Sequence, residues 1–415
     1  MTAPLRSLPA SGRDGFSMSS NSPLPYRLAT LAMALSASIA FAAAAPPEKI
    51  DLFISGQGGY AAYRIPGMVV TARGSVLVYC EARLNDRSDW STMDILLRRS
   101  TDAGSTWEPP RRVVRVPNPE PENPVAVARK LGVPHGPTYN NPIAIADRSG
   151  AVHLLFCLEY LRCFYARSDD DGRTFSAPVE ITGTFNRFRP GYEWKVLSVG
   201  PGHGIQLRNG RLLASVRLAL GDGRTPLRPT VAATIFSDDS GRTWQPGELA
   251  IRNSEDTVNP NEPLLVELAD GRVMMNVRNE SKLQRRLVTT SPDGATRWSL
   301  PRFDPALLDS GVMASLVRFT QPPAARKNRL LFANPHDLKA RANLSIKLSY
   351  DEGATWPVNR TLEPGPSAYC DLAVLPDGRI LCFYERGSTD GQQLYGRLTL
   401  ARFDLAWLSG DTDQL

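Results

Sequence analysis

One eight-residue pattern recurs along the chain and restricts its fold more than any other feature. The pattern is Ser-x-Asp-x-Gly-x-Thr followed by Trp or Phe, and the intact copies occupy residues 100–107, 168–175, 237–244 and 349–356. A degenerate copy at residues 291–298 has its glycine displaced and lacks the threonine at the usual place. Repetition at intervals of about 55 to 70 residues is typical of a β-propeller.

The residue types of this pattern, here called the Asp box, predict a tight turn within a β-hairpin. The Asp side chain can accept hydrogen bonds from the amides that follow it, and the Gly permits a positive φ angle. The four acids are Asp102, Asp170, Asp239 and Asp351. An apolar or alternating run precedes each copy, as expected for a strand, and the box has too few carboxylates for a calcium loop. We interpret the boxes as structural turns on the outer rim, with no part in catalysis.

Further hairpin signals lie between the boxes. Asn209-Gly210, Asp270-Gly271 and Asp377-Gly378 are each flanked by apolar runs, and no long helical period follows residue 50. Five boxes and one box-free stretch predict an all-β fold: a six-bladed β-propeller of four-stranded antiparallel blades, in a single domain over residues 46–415. We expect the chain near residues 52–54 to close the last blade by pairing with the C-terminal strands.

The first 45 residues have the features of an export signal. Arg27 precedes an apolar run at residues 28–42, and three alanines follow at residues 43–45. This order predicts an N-terminal extension and signal peptide with Met1 or Met18 as the start, and therefore a secreted or periplasmic protein. An uncleaved membrane anchor is the alternative, although the apolar run is short for a membrane span.

Charge argues against a nucleic-acid partner. The net charge is +6 and the sequence pI about 9.1, but the basic residues are scattered and form neither a run nor a helical stripe. A mild positive field suits a small anionic substrate equally well.

The five cysteines do not form a regular pattern. Their odd number and irregular spacing argue against a disulfide framework or a zinc site. Cys157 and Cys163 flank a hairpin tip around Tyr160, and a hairpin there would permit a bridge between them. Buried free thiols are the favoured interpretation.

Five stretches, together with the boxes, resemble the bacterial-type exo-α-sialidase (neuraminidase) family, whose members carry Asp boxes on a six-bladed propeller. They occupy residues 63–66 (YRIP), 81–90 (EARLNDRSDW), 261–279, 339–356 and 366–387. The resemblance extends from residue 52 to residue 408. It implies hydrolysis of terminal sialic acids from glycans, glycoproteins or glycolipids, with retention through a tyrosyl-enzyme intermediate. It implies no metal or other cofactor, no stable membrane partner and a monomer.

The resemblance also implies roles for individual residues. Arg64, Arg278 and Arg341 match the triad that binds the substrate carboxylate. Tyr369 matches the nucleophile, Glu262 its base, and Asp89 the general acid/base. Glu385 matches the carboxylate that orients the first arginine, and Arg83 matches a further pocket arginine. Residues 200–207 also resemble a segment of the family. This resemblance implies no role for His203.

The chemistry of sialic acid fits these residue types. Its carboxylate is ionised at any working pH, and guanidinium groups bind a carboxylate through two parallel hydrogen bonds. A neutral phenol can approach this carboxylate, whereas an anionic nucleophile would be repelled, but the phenol needs a base such as Glu262. Asp86 competes with Asp89 for the acid role, and spacing from Arg83 favours Asp89.

Two other functions are compatible with the same sequence. A trans-sialidase would transfer the sugar to an acceptor instead of water, and that choice depends on loop shape. A non-catalytic glycan-binding propeller would keep the fold without the chemistry. The presence of Tyr369, Glu262 and Asp89 favours an enzyme over a binding module.

Overall fold

A computed structural model describes residues 45–131, 136–391, 393–413 and 415. The predicted signal peptide lies outside the described residues, except for Ala45. Strands dominate, and the three helices of the described residues have five residues each: α1 Pro124–Ala128, α2 Thr182–Asn186 and α3 Leu405–Ser409. The prediction of an all-β protein is therefore confirmed. None of the helices in the described part of the chain is long and apolar enough to cross a membrane.

Twenty-five strands make up the fold of the described residues. The first thirteen are β1 Glu48–Ile54, β2 Ala62–Val70, β3 Val76–Arg83, β4 Met93–Ser100, β5 Arg111–Arg112, β6 Tyr139–Ala146, β7 Val152–Leu158, β8 Arg162–Ser168, β9 Val179–Glu180, β10 Val196–Val199, β11 Gly202–His203, β12 Ile205–Gln206 and β13 Leu212–Ala219. The others are β14 Thr230–Ser237, β15 Gln245–Ile251, β16 Asn261–Glu267, β17 Val273–Arg278, β18 Arg285–Ser291, β19 Arg302–Leu308, β20 Ser315–Thr320, β21 Arg329–Pro335, β22 Ala342–Ser349, β23 Val358–Val374, β24 Ile380–Arg386 and β25 Arg397–Phe403.

The strands form five sheets in a propeller-like arrangement. Four sheets follow one another along the chain: β2-β3-β4-β5, β11-β6-β7-β8-β9, β10-β13-β14-β15 with β12 beside β13, and β16-β17-β18-β19. Neighbouring strands are antiparallel except β11, which pairs with β6 in parallel. Strands β3 and β7 are buried at every residue, as expected where a sheet is covered on both faces. The apolar core therefore lies between the sheets.

The fifth sheet has seven strands, in the order β1-β25-β24-β23-β22-β21-β20. The long strand β23 pairs with β22 along its first half and with β24 along its second half. Strand β1 pairs with β25, with Phe53 opposite Leu398. The prediction that the chain near residues 52–54 pairs with the C-terminal strands is confirmed.

All four intact Asp boxes form equivalent turns after the third strand of a four-strand unit, as predicted. In the box of Asp239 the carboxylate accepts hydrogen bonds from the Thr243 amide, the Thr243 hydroxyl and the Ser237 hydroxyl. The degenerate box keeps the same role for its acid, because Asp293 accepts from the Thr296 amide and the Ser291 hydroxyl. The decayed sequence therefore preserves the turn.

Each box turn also packs against a neighbouring sheet. Gly172 has a φ of +78°, and a Cβ atom there would lie 2.5 Å from the Leu77 side chain on β3. Gly241 approaches His153 and Tyr165 in the same way. Glycine is therefore required both for the left-handed backbone and for contact between sheets.

All five cysteines are buried and free. Cys157 and Cys163 lie directly opposite each other on β7 and β8, so they face each other as the hairpin prediction required. The structure has thiols at both positions, in agreement with the favoured interpretation.

Candidate active site

The site residues lie at one end of the inner strands. Arg64 is near the start of β2, and Glu262 is near the start of β16. Tyr369 is in β23 where the pairing with β24 begins. Since antiparallel neighbours run in opposite directions, Arg278 at the end of β17 reaches the same end of the fold, opposite Asn261. Residues from three sheets therefore converge.

A β-bulge accompanies each of these three strands. The register shifts between Arg64 and Gly67, between Asn261 and Pro263, and between Ser367 and Cys370. Glu262, inside the second bulge, has a φ of 46° although it is not glycine. Bulges redirect side chains, and here they turn functional groups out of the regular alternation toward a common centre.

Three arginines surround the ring of Tyr369. The Nη1 atom of Arg278 donates to the Tyr369 hydroxyl at 2.9 Å. The Cζ atoms of Arg64 and Arg341 lie 5.2 and 5.9 Å from the ring centroid. The structure therefore brings together three arginines spread over the sequence from position 64 to position 341, as the resemblance implied.

The Tyr369 hydroxyl donates a hydrogen bond of 2.5 Å to Glu262 Oε1, and Glu262 Oε2 accepts from Arg278 at 2.7 Å. Burial and the negative charge of Glu262 raise the pKa of Tyr369, and the three arginines only partly oppose them. Burial by itself would raise the pKa of Glu262, but Arg278 and Arg217, with these hydrogen bonds, lower it. The resting pair is thus a neutral phenol against a carboxylate.

Glu385 links Arg64 to Tyr369. Its carboxylate accepts from Arg64 Nε at 2.9 Å and from Arg64 Nη2 at 3.1 Å, a two-bonded ion pair. It also accepts from the backbone amides of Ile65 and Tyr369, both at 3.1 Å. Glu385 is fully buried, so it orients the arginine without occupying the open part of the site.

Asp89 lies at the edge of this group, on the loop after β3. Its Oδ1 atom is 2.9 Å from Arg83 Nη2 and 3.9 Å from Arg64 Nη1, and 46% of its side chain is exposed. Partial burial by itself would raise the pKa of Asp89, but the two arginines lower it. The competing acid, Asp86, instead accepts from the Ser88 amide within the loop. The placement favours Asp89.

Arg83 reaches the site but is fully buried behind Asp89. Its guanidinium also contacts Glu81 at 2.8 Å and the Arg87 carbonyl oxygen at 2.5 Å. These contacts make Arg83 a support for Asp89, and direct binding of substrate by Arg83 stays a prediction.

Sequence reasoning missed two residues. Tyr395 lies between two of the arginines: the Arg64 Cζ atom is 3.8 Å from its ring centroid, and Arg341 Nη1 donates to its hydroxyl at 2.6 Å. Arg217 on β13 is 5% exposed, and its charge acts on both Glu262 and Asp89. Neither residue lies in a stretch used for the resemblance, so only the folded structure identifies them.

Comparisons with known proteins agree with this description. Residues 120–382 match the family model described as a BNR repeat-like domain. The chain is 32% identical to a sialidase of Micromonospora viridifaciens, over 87% of this chain and 54% of that protein. It is 25% identical to an exo-alpha-sialidase of Aspergillus fumigatus, over 88% of each. A solved structure of a Hadza microbial sialidase is similar with a TM-score of 0.70 and 27% identity, over 87% of this chain and 69% of that one.

The fold and the site define a propeller-like Asp-box protein with an arginine-lined tyrosine at its centre. The chain belongs to the BNR-repeat sialidase family. It spans 54% and 61% of the length of two bacterial sialidases that it matches, from Micromonospora viridifaciens and Bacteroides fragilis.

Proposed function

We propose that the protein is an exo-α-sialidase that removes terminal sialic acids from glycoconjugates with retention of configuration. The observation that carries this proposal is the Tyr369 hydroxyl, which donates to Glu262 at 2.5 Å in the centre of three arginines. A phenol paired with a base, beside a site for an anion, matches a sugar whose anomeric carbon bears a carboxylate.

The three arginines would bind the substrate carboxylate. Arg64 is held by Glu385 through two hydrogen bonds. Arg341 is held by the Tyr395 hydroxyl at 2.6 Å and the Gly311 carbonyl oxygen at 2.8 Å. These contacts fix the guanidinium planes before substrate arrives, which reduces the entropy lost on binding.

Glu262 would remove the phenolic proton as the Tyr369 oxygen attacks the anomeric carbon. The bond to the leaving oxygen breaks while Asp89 protonates that oxygen, and a tyrosyl-sugar intermediate results. Water, deprotonated by Asp89, then attacks the same carbon, and Tyr369 leaves with its proton returned by Glu262. Two inversions restore the α configuration.

Asp89 must be protonated to act as the acid. In the free protein Arg83 and Arg64 favour its ionised form. A substrate carboxylate at Arg64 adds negative charge near Asp89, and the sugar removes water from it. Both effects raise the pKa of an acid, so substrate binding itself would prepare Asp89 for proton transfer.

Release of a fluorescent aglycone from a sialoside tests the activity. Tyr369→Phe keeps the ring but removes the attacking oxygen, and we expect a folded protein with kcat reduced by roughly 10² or more. Tyr192→Phe is the matched control, because the Tyr192 hydroxyl bonds to backbone groups outside the site, among them the Pro229 carbonyl oxygen. Wild-type protein that releases no aglycone would contradict the proposal.

Stereochemistry and acceptor choice are tested together by an NMR time course. Retention requires α-sialic acid to appear first, and β-sialic acid as first product would exclude the covalent intermediate. Sialyl transfer to added lactose in preference to water would instead indicate a trans-sialidase. Binding of a sialoside without cleavage would indicate a glycan-binding module.

We also propose six blades, counting the seven-stranded sheet as two blades that share β23. The pairing of β23 with β22 in its first half and with β24 in its second half supports this count. With the four separate sheets, the total is six.

We expect a monomer, which size-exclusion chromatography with light scattering would measure.

Secretion is a further proposal, supported by the order of charge, apolar run and alanines in residues 1–45. Mass spectrometry of the protein recovered outside the cytoplasm should find an N-terminus near residue 46. An intact N-terminus retained in the membrane fraction would favour the uncleaved anchor.

A further inference from the structure

The segment around His203 has no part in the chemistry above, yet it reaches the strand that carries Tyr369. Strand β11, Gly202–His203, pairs in parallel with β6. Gly202 has a φ of +93°, and a Cβ atom there would lie 3.6 Å from Asp371 Oδ1. The positive φ favours glycine at this position, and the next residue, His203, places its Nδ1 atom 2.7 Å from the same oxygen.

Asp371 lies two residues after Tyr369 on β23, just past the bulge between Ser367 and Cys370. The intervening Cys370 packs into an apolar core cluster. Asp371 is 1% exposed. Its carboxylate is therefore held away from solvent, two residues along β23 from the proposed nucleophile.

The two oxygens of Asp371 connect three other strands to β23. Oδ2 accepts from the Met68 amide on β2 at 2.8 Å. Oδ1 accepts from the Ser315 hydroxyl on β20 at 2.9 Å and contacts His203 on β11. Met68 lies four residues after Arg64 on the innermost strand of its sheet. The Met68 backbone amide therefore donates to a side chain that belongs to a different sheet.

We propose that Asp371 and His203 form a positioning pair that fixes the strand carrying Tyr369 relative to the strand carrying Arg64. This inference rests on the proposed function, because it assigns the pair to the geometry of that reaction. Neither residue is catalytic, since Asp371 acts through the Met68 amide and through its own strand. The role of His203 is to hold the shared carboxylate oxygen.

A carboxylate suits this position because both of its oxygens accept hydrogen bonds, Oδ2 from the Met68 amide and Oδ1 from the Ser315 hydroxyl. Asparagine would keep one acceptor oxygen and replace the other by a donor. A buried carboxylate also needs a compensating donor or charge, which His203 supplies. Burial by itself would lower the pKa of His203, but Asp371 raises it above the usual value.

Asp371→Asn tests the pair, with Asp171→Asn as matched control. Asp171 is also a buried acid between two sheets, where it accepts from the Thr71 and Ser75 hydroxyls and from Arg99. Both variants should lower the unfolding temperature. We expect only Asp371→Asn to reduce kcat/KM, by about 10- to 100-fold, since misplacement by about 1 Å can cost 10²-fold.

His203 offers a rescue test. His203→Ala removes the donor to Asp371 and should lower kcat/KM by about 10-fold. His203→Asn can place its amide nitrogen near the position of Nδ1, and should recover most of the lost activity. A purely structural role would instead make kcat/KM independent of which side chain replaces His203, after correction for the folded fraction.

Hydrogen exchange of backbone amides tests the Asp371–His203 pair independently of activity. In Asp371→Ala the amides of residues 62–70 should exchange faster, because Met68 loses its acceptor, whereas Asp171→Ala should affect residues 71–75. Unchanged exchange over residues 62–70 would overturn the inference, even in an active enzyme. If the wild type cleaves no sialoside, the proposed function fails, and this measurement still decides whether Asp371 holds β2. Equal loss of kcat/KM in the two Asp→Asn variants would also overturn the inference.

Discussion

Arg217 contributes to the ionisation of both the proposed acid and the proposed base. Its charge lowers the pKa values of both Glu262 and Asp89, although burial acts in the opposite direction. Arg217→Met should therefore raise both pKa values. Since the base must be ionised and the acid protonated, both limbs of the kcat/KM profile should move to higher pH, by several tenths to about one unit.

The measurement is kcat/KM from pH 3 to pH 8 for the wild type and the variant. Arg272→Met is the control, because Arg272 pairs with Asp270 at an exposed turn. An unchanged or downward shift for Arg217→Met would contradict the electrostatic role.

Arg341 tests the carboxylate site separately from the nucleophile. Arg341→Lys keeps a positive charge but cannot contact Tyr395, Gly311 and a substrate carboxylate in the same planar arrangement. We expect KM to rise by about 10- to 100-fold with a smaller change in kcat. An unchanged KM for a sialoside would remove Arg341 from the binding site, and Arg272→Lys controls for the exchange of residue type.

At the level of single residues, the sequence predicted which side chains come together in the site, but not the contacts that hold them in place. Arg64, Arg278 and Arg341 were found because each lies in a recognisable stretch. Arg217 was missed because its neighbours follow an ordinary strand pattern, and Tyr395 because it lies in a turn just before β25, outside any recognised stretch. Only the packing of the folded chain shows where these side chains point.

Among the elements, the Asp box was predictable because its function is local. The box acid bonds only to residues within four positions of it, as Asp239 does with Ser237 and Thr243. Strand β23 was not predictable as one element, since Pro364, Gly365 and Pro366 within it normally indicate a break. It continues because β22 and β24 pair with its two halves.

The box should therefore matter for stability and not for catalysis. Asp239→Ala removes three hydrogen bonds of the turn, and we expect a loss of about 1 kcal/mol in the free energy of unfolding. Denaturant unfolding measures that loss, while kcat/KM should stay within about twofold. A larger fall in kcat/KM in fully folded protein would contradict the structural interpretation of the boxes.

For the whole molecule, β1 adds the chain near residue 50 to a sheet built from its C-terminal strands. Asp51 accepts from the Thr399 hydroxyl at 2.6 Å and pairs with Arg397 at 3.0 Å. The Phe53 ring packs at 5.2 Å from Tyr63 and 6.3 Å from Phe383. The sequence predicted that the chain near residues 52–54 pairs with the C-terminal strands, because the last four-stranded blade needed one more strand. It did not predict the contacts that stabilise this pairing.

Phe53→Ala measures how much this pairing contributes. Phe53 is 4% exposed, and such a truncation costs about 3–5 kcal/mol. Ile54→Ala is the control, because Ile54 is 38% exposed and its loss should cost under about 1 kcal/mol.

Loss of β1 pairing also leaves the edge of β25 open to other chains. We therefore expect Phe53→Ala to unfold at lower denaturant and to form larger species in light scattering on mild heating. Equal stability of the two variants would show that β1 is not what closes the fold.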